Sequence, residues 1–223
     1  MVDITLNELK KLMMQEKLIH KKILVEKEKR NKVASDKSER LKELYEKIKD
    51  CKKCRLWENR INLVFGDGSP DSGIVFIGEA PGKSENREGR PFVGDAGRYL
   101  NKLLEEINLK REDIYITNVV KCWPPGDRDP LPDEIEKCRP YLEEQLKIIE
   151  PKIIVCLGRF AGWQMLGMKL PMMKMRGRLH NKGNYKVLVT FHPAAILYHR
   201  NWEPYIKEDF RILKKFIEDE KLL

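Results

Sequence analysis

Three side chains of different chemistry stand where apolar runs of the sequence end: Glu79 after 74–77, Asn118 near the end of 114–120 and His192 after 185–191. A carboxylate can orient or deprotonate water, a carboxamide offers a donor and an acceptor side by side, and an imidazole can stabilise charge growing on an oxygen. Phe92, between the glycines of GRPFVG, adds a ring suited to stacking. Four thiols form a second group: Cys51 and Cys54 make a CxxC, while Cys122 and Cys138 are separated by fifteen residues that include four prolines. Thiolates from two distant segments are the complement of an all-cysteine zinc site or of a [4Fe-4S] cluster, and ligand identity leaves both open. Cys156 lies inside the apolar run 153–157 and reads as a small core residue.

The elements that must position these groups are legible in the same runs. IVFI, 74–77, is bounded by Gly73 and Gly78 and suits a strand buried on both faces. GEAPG then makes a tight turn whose backbone, at Gly78, Glu79 and Ala80, can approach a ligand closely. Asp95 can cap a helix that carries Leu100, Leu103, Leu104 and Ile107 on one face. Further on come a second strand at 114–120, a helix over 133–149 with Ile135, Leu142, Leu146 and Ile149 inward, and a third strand at 153–157. A short helix over 159–166, a hairpin around 181–184 and a fourth strand at 185–191 complete the pattern. This alternation predicts an α/β fold: three α/β/α layers around a four-stranded, mainly parallel sheet. Right-handed crossovers put all the strand C-terminal ends on one side, which gathers Glu79, Phe92 and Asn118; His192 also follows a strand's C-terminal end.

With 223 residues the chain has room for one well-buried α/β domain plus an appendage. Its net charge of +9 and pI of about 9.2 point to a polyanionic partner, nucleic acid rather than membrane, since no long apolar stretch exists. The N-terminal MVDITLNELKK has no apolar signal core, so a cytoplasmic protein with thiols or metal-bound cysteines is expected, not disulfides. A charged fraction of 35% with only three Gln suggests a thermophilic source. Residues 1–50 lack Gly and Pro, carry 14 Lys and Arg against 10 Asp and Glu, and place Leu9, Leu12, Met13, Leu18, Ile19, Ile23 and Leu24 at helical spacing. One or two amphipathic helices follow, open to self-packing, a DNA contact or a protein partner. In MKLPMMKMRGR, Arg176 and Arg178 flank Gly177 and are candidates to grip phosphates, the methionines packing against the core.

GEAPG followed by GRPFVG resembles the first motif of the type 4 uracil-DNA glycosylases, the iron-sulfur branch of the uracil-DNA glycosylase superfamily. HPAAI, 192–196, resembles the second catalytic motif of the superfamily, and the likeness runs from residue 51 to about residue 200. The resemblance implies a monofunctional glycosylase domain over 49–223 behind a helical extension, 1–48. It implies a structural [4Fe-4S] cluster on Cys51, Cys54, Cys122 and Cys138, with zinc the alternative. It also implies that a monomer flips deoxyuridine out of single- or double-stranded DNA and binds uracil through Gly78, Glu79, Ala80, Phe92, Asn118 and His192. In that frame Asn118 reads the uracil edge, His192 stabilises charge on O2, and Ile196 corresponds to an apolar wedge entering the duplex. Ala80 stands where the founding branch has an aspartate, an absence that type 4 members share; either a nearly free water attacks, or Glu79 takes the part of the base. Residues 123–137 contain no histidine, which argues against the covalent chemistry of a related branch. Two readings from other classes stand beside this one: a catalytically inactive iron-sulfur or zinc module that binds DNA, and a phosphate-binding loop. The second is disfavoured by the lack of a Lys after the glycines.

Overall fold

In the computed structural model, which describes residues 14–15, 19–23 and 36–222, the sheet has six strands. These are β1 (Asp67–Gly68), β2 (Ile74–Gly78), β3 (Tyr115–Asn118), β4 (Ile153–Leu157), β5 (Leu179–Lys182) and β6 (Tyr185–Thr190), in the order β1-β3-β2-β4-β6-β5. The four apolar strands pair in parallel as expected. The expected count of four is corrected by β1 and β5, antiparallel at the two edges. Both are short and half-exposed, DG and LHNK, so no apolar run signals them, and their pairing protects the edges of the sheet.

Alternation along the strands builds two cores. Val75 and Ile77 face one side with Leu142, Ile149, Ile154 and Val189. Ile74 and Phe76 face the other with Leu100, Leu103, Phe210 and Leu213. The helices are α1 (residues 36–48), α2 (Lys83–Glu88), α3 (Asp95–Glu106), α4 (Pro132–Ile149), α5 (Arg159–Leu166), α6 (Met172–Met175), α7 (Pro193–Tyr198) and α8 (Glu203–Glu220). α4 begins one residue earlier than the periodicity indicates because Pro132, with its fixed φ, suits the first helical turn. α1 is part of the body: Leu41 and Ile48 are buried in the first core, and Lys37 Nζ donates to the Ile149 carbonyl at 2.8 Å. Ile19 and Ile23 are exposed, whereas Leu9, Leu12, Met13, Leu18 and Leu24 lie outside the described residues. No described helix is long and apolar enough to cross a membrane.

The order 3-2-4 at the centre places β2 between strands reached by crossovers in opposite directions. Open α/β sheets have their crevice at such a switch point, beyond the strand C-terminal ends. Here that position is taken by Gly78 and Glu79.

Candidate active site

The loop after β2 is fixed from three sides. β3 ends at Asn118, earlier than its apolar run, yet Val119 and Val120 still donate their N–H groups to the Gly78 and Glu79 carbonyls at 2.9 and 3.1 Å. Glu85 on α2 is buried, and one of its oxygens accepts from Gly82 N at 3.0 Å. Its other oxygen accepts from Val93 N and Gly94 N, both at 2.9 Å. One carboxylate thus fastens the GEAPG loop to the GRPFVG loop through charge-assisted bonds. The third restraint acts on Phe92, a non-glycine residue with φ of 53°. Arg111 holds that strained turn by donating to the carbonyls of Phe92 (3.0 Å) and Pro91. Gly97 carries no side chain there because a Cβ would overlap the Phe92 carbonyl.

A cavity of about 440 Å3 opens beside these loops, lined by Glu79, Ala80, Phe92, Asn118, Asp129, His192 and Tyr198 among others. Asn118 is 1% exposed and its Oδ1 has no hydrogen-bond partner among the described residues. An unpaired buried acceptor costs about 1–3 kcal/mol, so it marks a position awaiting a donor. The end of β3 is itself pinned by Lys121, fully buried, whose Nζ donates to Thr117 Oγ1 at 2.6 Å and to the Asn118 carbonyl at 2.7 Å. His192 closes β6, its ring centroid 5.6 Å from that of Phe92. Its Nδ1 accepts from Ala194 N at 3.2 Å, which leaves the ring proton on Nε2. Enclosure lowers its pKa to about 4 against a small opposing pull from Glu85, so the imidazole is neutral at physiological pH. Glu79 is shifted the other way, up to about 7, by burial first and then by Asp129, with Arg159 opposing.

Gly78, Glu79, Ala80, Phe92, Asn118 and His192 are therefore brought together. Two expected contacts are not. Arg176 is turned inward rather than toward a phosphate: its guanidinium donates to Asp209 at 2.5 and 3.1 Å, to Glu208 at 3.0 Å and to the Tyr205 carbonyl at 2.8 Å. Asp209 on α8 is fully buried and draws the cation in, so charge pairing with a distant helix overrides the local basic pattern. Arg178 is exposed. Ile196 is 3% exposed and packs in the second core, so it does not project as a wedge; Leu197 and Tyr198, 44% and 83% exposed, are the apolar side chains that α7 presents outward.

Glu85, Asp129, Arg159 and Tyr198 were not indicated by spacing around the motifs. For Glu85 a signal existed, since a carboxylate three residues after Gly82 follows the capping-box pattern. Asp129 comes from a loop that only the completed topology brings to the cavity, and Arg159, at the start of α5, pairs with it.

The four cysteines expected as ligands line a single small cavity with Lys53, Lys121 and Tyr141. Cys51 Sγ lies 3.3 Å from Tyr141 Oη, and Arg60 Nη1 reaches Cys122 Sγ at 3.6 Å and the Cys51 carbonyl at 2.8 Å. Burial pushes the Cys138 thiol up to about 12, and raises Cys54 and Cys122 as well. Among the described residues no three His, Cys, Asp or Glu side chains converge tightly enough to hold one metal ion. Cys156 is fully buried within β4, away from this group.

The family model of the uracil DNA glycosylase superfamily matches residues 65–219. A protein named type-4 uracil-DNA glycosylase from Sulfurisphaera tokodaii is 45% identical over 185 residues, covering 78% of this chain and 84% of that one. Its namesake from Thermotoga maritima is 45% identical over 179 residues, 78% of this chain and 93% of that one. The namesake from Archaeoglobus fulgidus is 42% identical over 181 residues, with coverage of 78% and 91%. By the match across the domain and these relatives, the chain belongs to the uracil-DNA glycosylase superfamily and, within it, to the type-4 branch.

Proposed function

We propose that this protein hydrolyses the N-glycosidic bond of deoxyuridine in DNA, releasing uracil and leaving an abasic site, the opening step of base excision repair. The observation that carries this reading is the orphaned Oδ1 of Asn118, buried beside an aromatic ring and a neutral imidazole. Uracil N3–H supplies the missing donor, and the amide N–H2 of the same residue donates to O4. Cytosine inverts both partners and leaves buried groups unpaired, at about 1–3 kcal/mol each. Phe92 stacks on the flipped ring, worth roughly 1–3 kcal/mol.

As the C1′–N1 bond breaks, its electron pair passes to the uracil ring and negative charge accumulates on O2. His192 Nε2–H donates to that oxygen, and a neutral imidazole keeps its proton while doing so. Water completes the reaction at C1′. Ala80 offers no functional group for it, and Glu79 is the adjacent side chain that can orient it.

Cys51, Cys54, Cys122 and Cys138 fit a [4Fe-4S] cluster: they line one small cavity and supply the four thiolates that such a cluster takes. Arg60 and Lys53 beside them suit the negative charge of a thiolate-bound cluster. When bound, the cluster supplies a structural tie between the segment at 51–54, the end of the β3 segment at Cys122 and α4 at Cys138. The substrate is uracil-containing DNA, single- or double-stranded, engaged by a monomer, with Arg178 and Tyr198 at the DNA face. The catalytic unit includes α1, whose Leu41 and Ile48 are buried in its core, and the basic sequence ahead of α1 is proposed to contact DNA or a protein partner.

Protein prepared without oxygen and assayed on oligonucleotides carrying one uracil tests the reading. The expected result is a brown protein containing iron and sulfide that generates alkali-labile sites at uracil only. A colourless zinc protein that leaves the uracil strand intact would favour the non-catalytic DNA-binding module.

A further inference from the structure

Attack at C1′ is helped by a group that orients the water and takes its proton, and the methyl of Ala80 cannot do so. Two carboxylates from separate loops line the cavity instead, and a cation stands behind one of them. Glu79 follows β2, Asp129 lies in the loop between Cys122 and Cys138, and Arg159 is the first residue of α5. Arg159 Nη2 donates to Asp129 Oδ2 at 2.9 Å, and Asp129 lines the same cavity as Glu79, near enough for its charge to oppose ionisation of Glu79.

Resting on the glycosylase reading above, we infer that Glu79 and Asp129 form a carboxyl pair that orients the attacking water and receives its proton, with Arg159 anchoring Asp129. Glu79 faces the reacting atoms, while Asp129 and Arg159 are positioning residues. The step balances without a co-reactant: the water oxygen bonds to C1′, the C1′–N1 electron pair leaves with uracil, and the water proton passes to the ionised Glu79 carboxylate. Glu79 is half-buried with the exposed Asp129 beside it, and two neighbouring carboxylates resist carrying full charge together, so the pair is poised to take up one proton.

The other charged groups around Glu79 are engaged elsewhere. Arg128 pairs with Glu134 at 2.7 Å, Asp127 accepts from the Trp123 indole at 2.6 Å, Glu85 holds three backbone N–H groups, and His192 is neutral. Asp129 and Arg159 are thus the charges that tune Glu79.

The test is the pH dependence of single-turnover uracil release, with affinity for the uracil strand measured in parallel. Because the base acts ionised, the wild-type rate falls as pH drops below about 7. Asp129→Asn removes the like charge and moves this acid limb to lower pH; Arg159→Gln removes the opposing cation and moves it to higher pH. Glu79→Gln abolishes the limb and lowers the plateau roughly 100-fold, with substrate affinity retained. Opposite shifts from two variants are not a signature of misfolding. A wild-type enzyme that cleaves uracil DNA while both variants keep its acid limb would overturn the pair and leave the glycosylase reading intact. A wild-type protein without uracil cleavage overturns both.

Discussion

Gly78 and Asn118 are register partners on β2 and β3, and they lie so close that a methyl on Gly78 would overlap Asn118 Oδ1 and come within 2.7 Å of Phe92 Cζ. Glycine is required here for space, because the two strand ends approach closely at the proposed base-binding slot. Gly78→Ala is expected to displace the amide or the ring and to lower uracil release roughly 100-fold, the cost of a small misplacement of reacting groups. Thermal denaturation should change far less than the rate.

His192 makes a prediction about pH. Its pKa is about 4 in the fold against an ordinary 6.5, so at acid pH the unfolded chain takes up the proton and the folded one does not. Stability should therefore decline as pH falls from 6.5 toward 4, and His192→Gln should flatten that slope in denaturant titrations. The ring should titrate near 4 by NMR. A value near 6.5 would remove the argument for a neutral donor.

Arg176 and Arg178 should separate cleanly. Arg176→Ala leaves the fully buried Asp209 without its cation and is expected to destabilise the fold by about 3–5 kcal/mol. Arg178→Ala should leave stability unchanged and reduce the salt slope of DNA binding by about one. Denaturation and binding at several salt concentrations distinguish the two roles.

Tyr198 is 83% exposed yet lines the cavity, a placement that suits an aromatic filling the gap left by an extruded base. Tyr198→Ala should slow cleavage of duplex substrate about tenfold while sparing single strands, where nothing needs to be unstacked. Equal loss on both substrates would instead indicate a role in shaping the pocket.

The sequence was most legible where one local signal decided the outcome. Apolar runs bounded by glycine marked the parallel strands, and strand polarity then gathered Glu79, Asn118 and His192 at one edge. The thiol spacing likewise indicated a shared site. What remained hidden depends on partners far along the chain. Arg176 reads as a surface cation until α8 brings Asp209 beside it. Ile196 and Tyr198 are two residues apart, and only the packing of α7 against α3 determines which is buried. β1 and β5 are polar and short, and they exist because a neighbouring strand offers them hydrogen bonds. Asp129 comes to the cavity that Glu79 lines from a loop stiffened by prolines, a placement that no periodicity encodes.

The most direct test of the account compares wild-type and Asn118→Ala protein on strands that differ only in carrying uracil or cytosine at one position. The expected result is cleavage at uracil alone by the wild type, and a loss in Asn118→Ala greater than the roughly 100-fold loss expected for Glu79→Gln, because the base is then no longer held. Uracil release by Asn118→Ala at the wild-type rate would contradict the claim that the orphaned amide recognises the base.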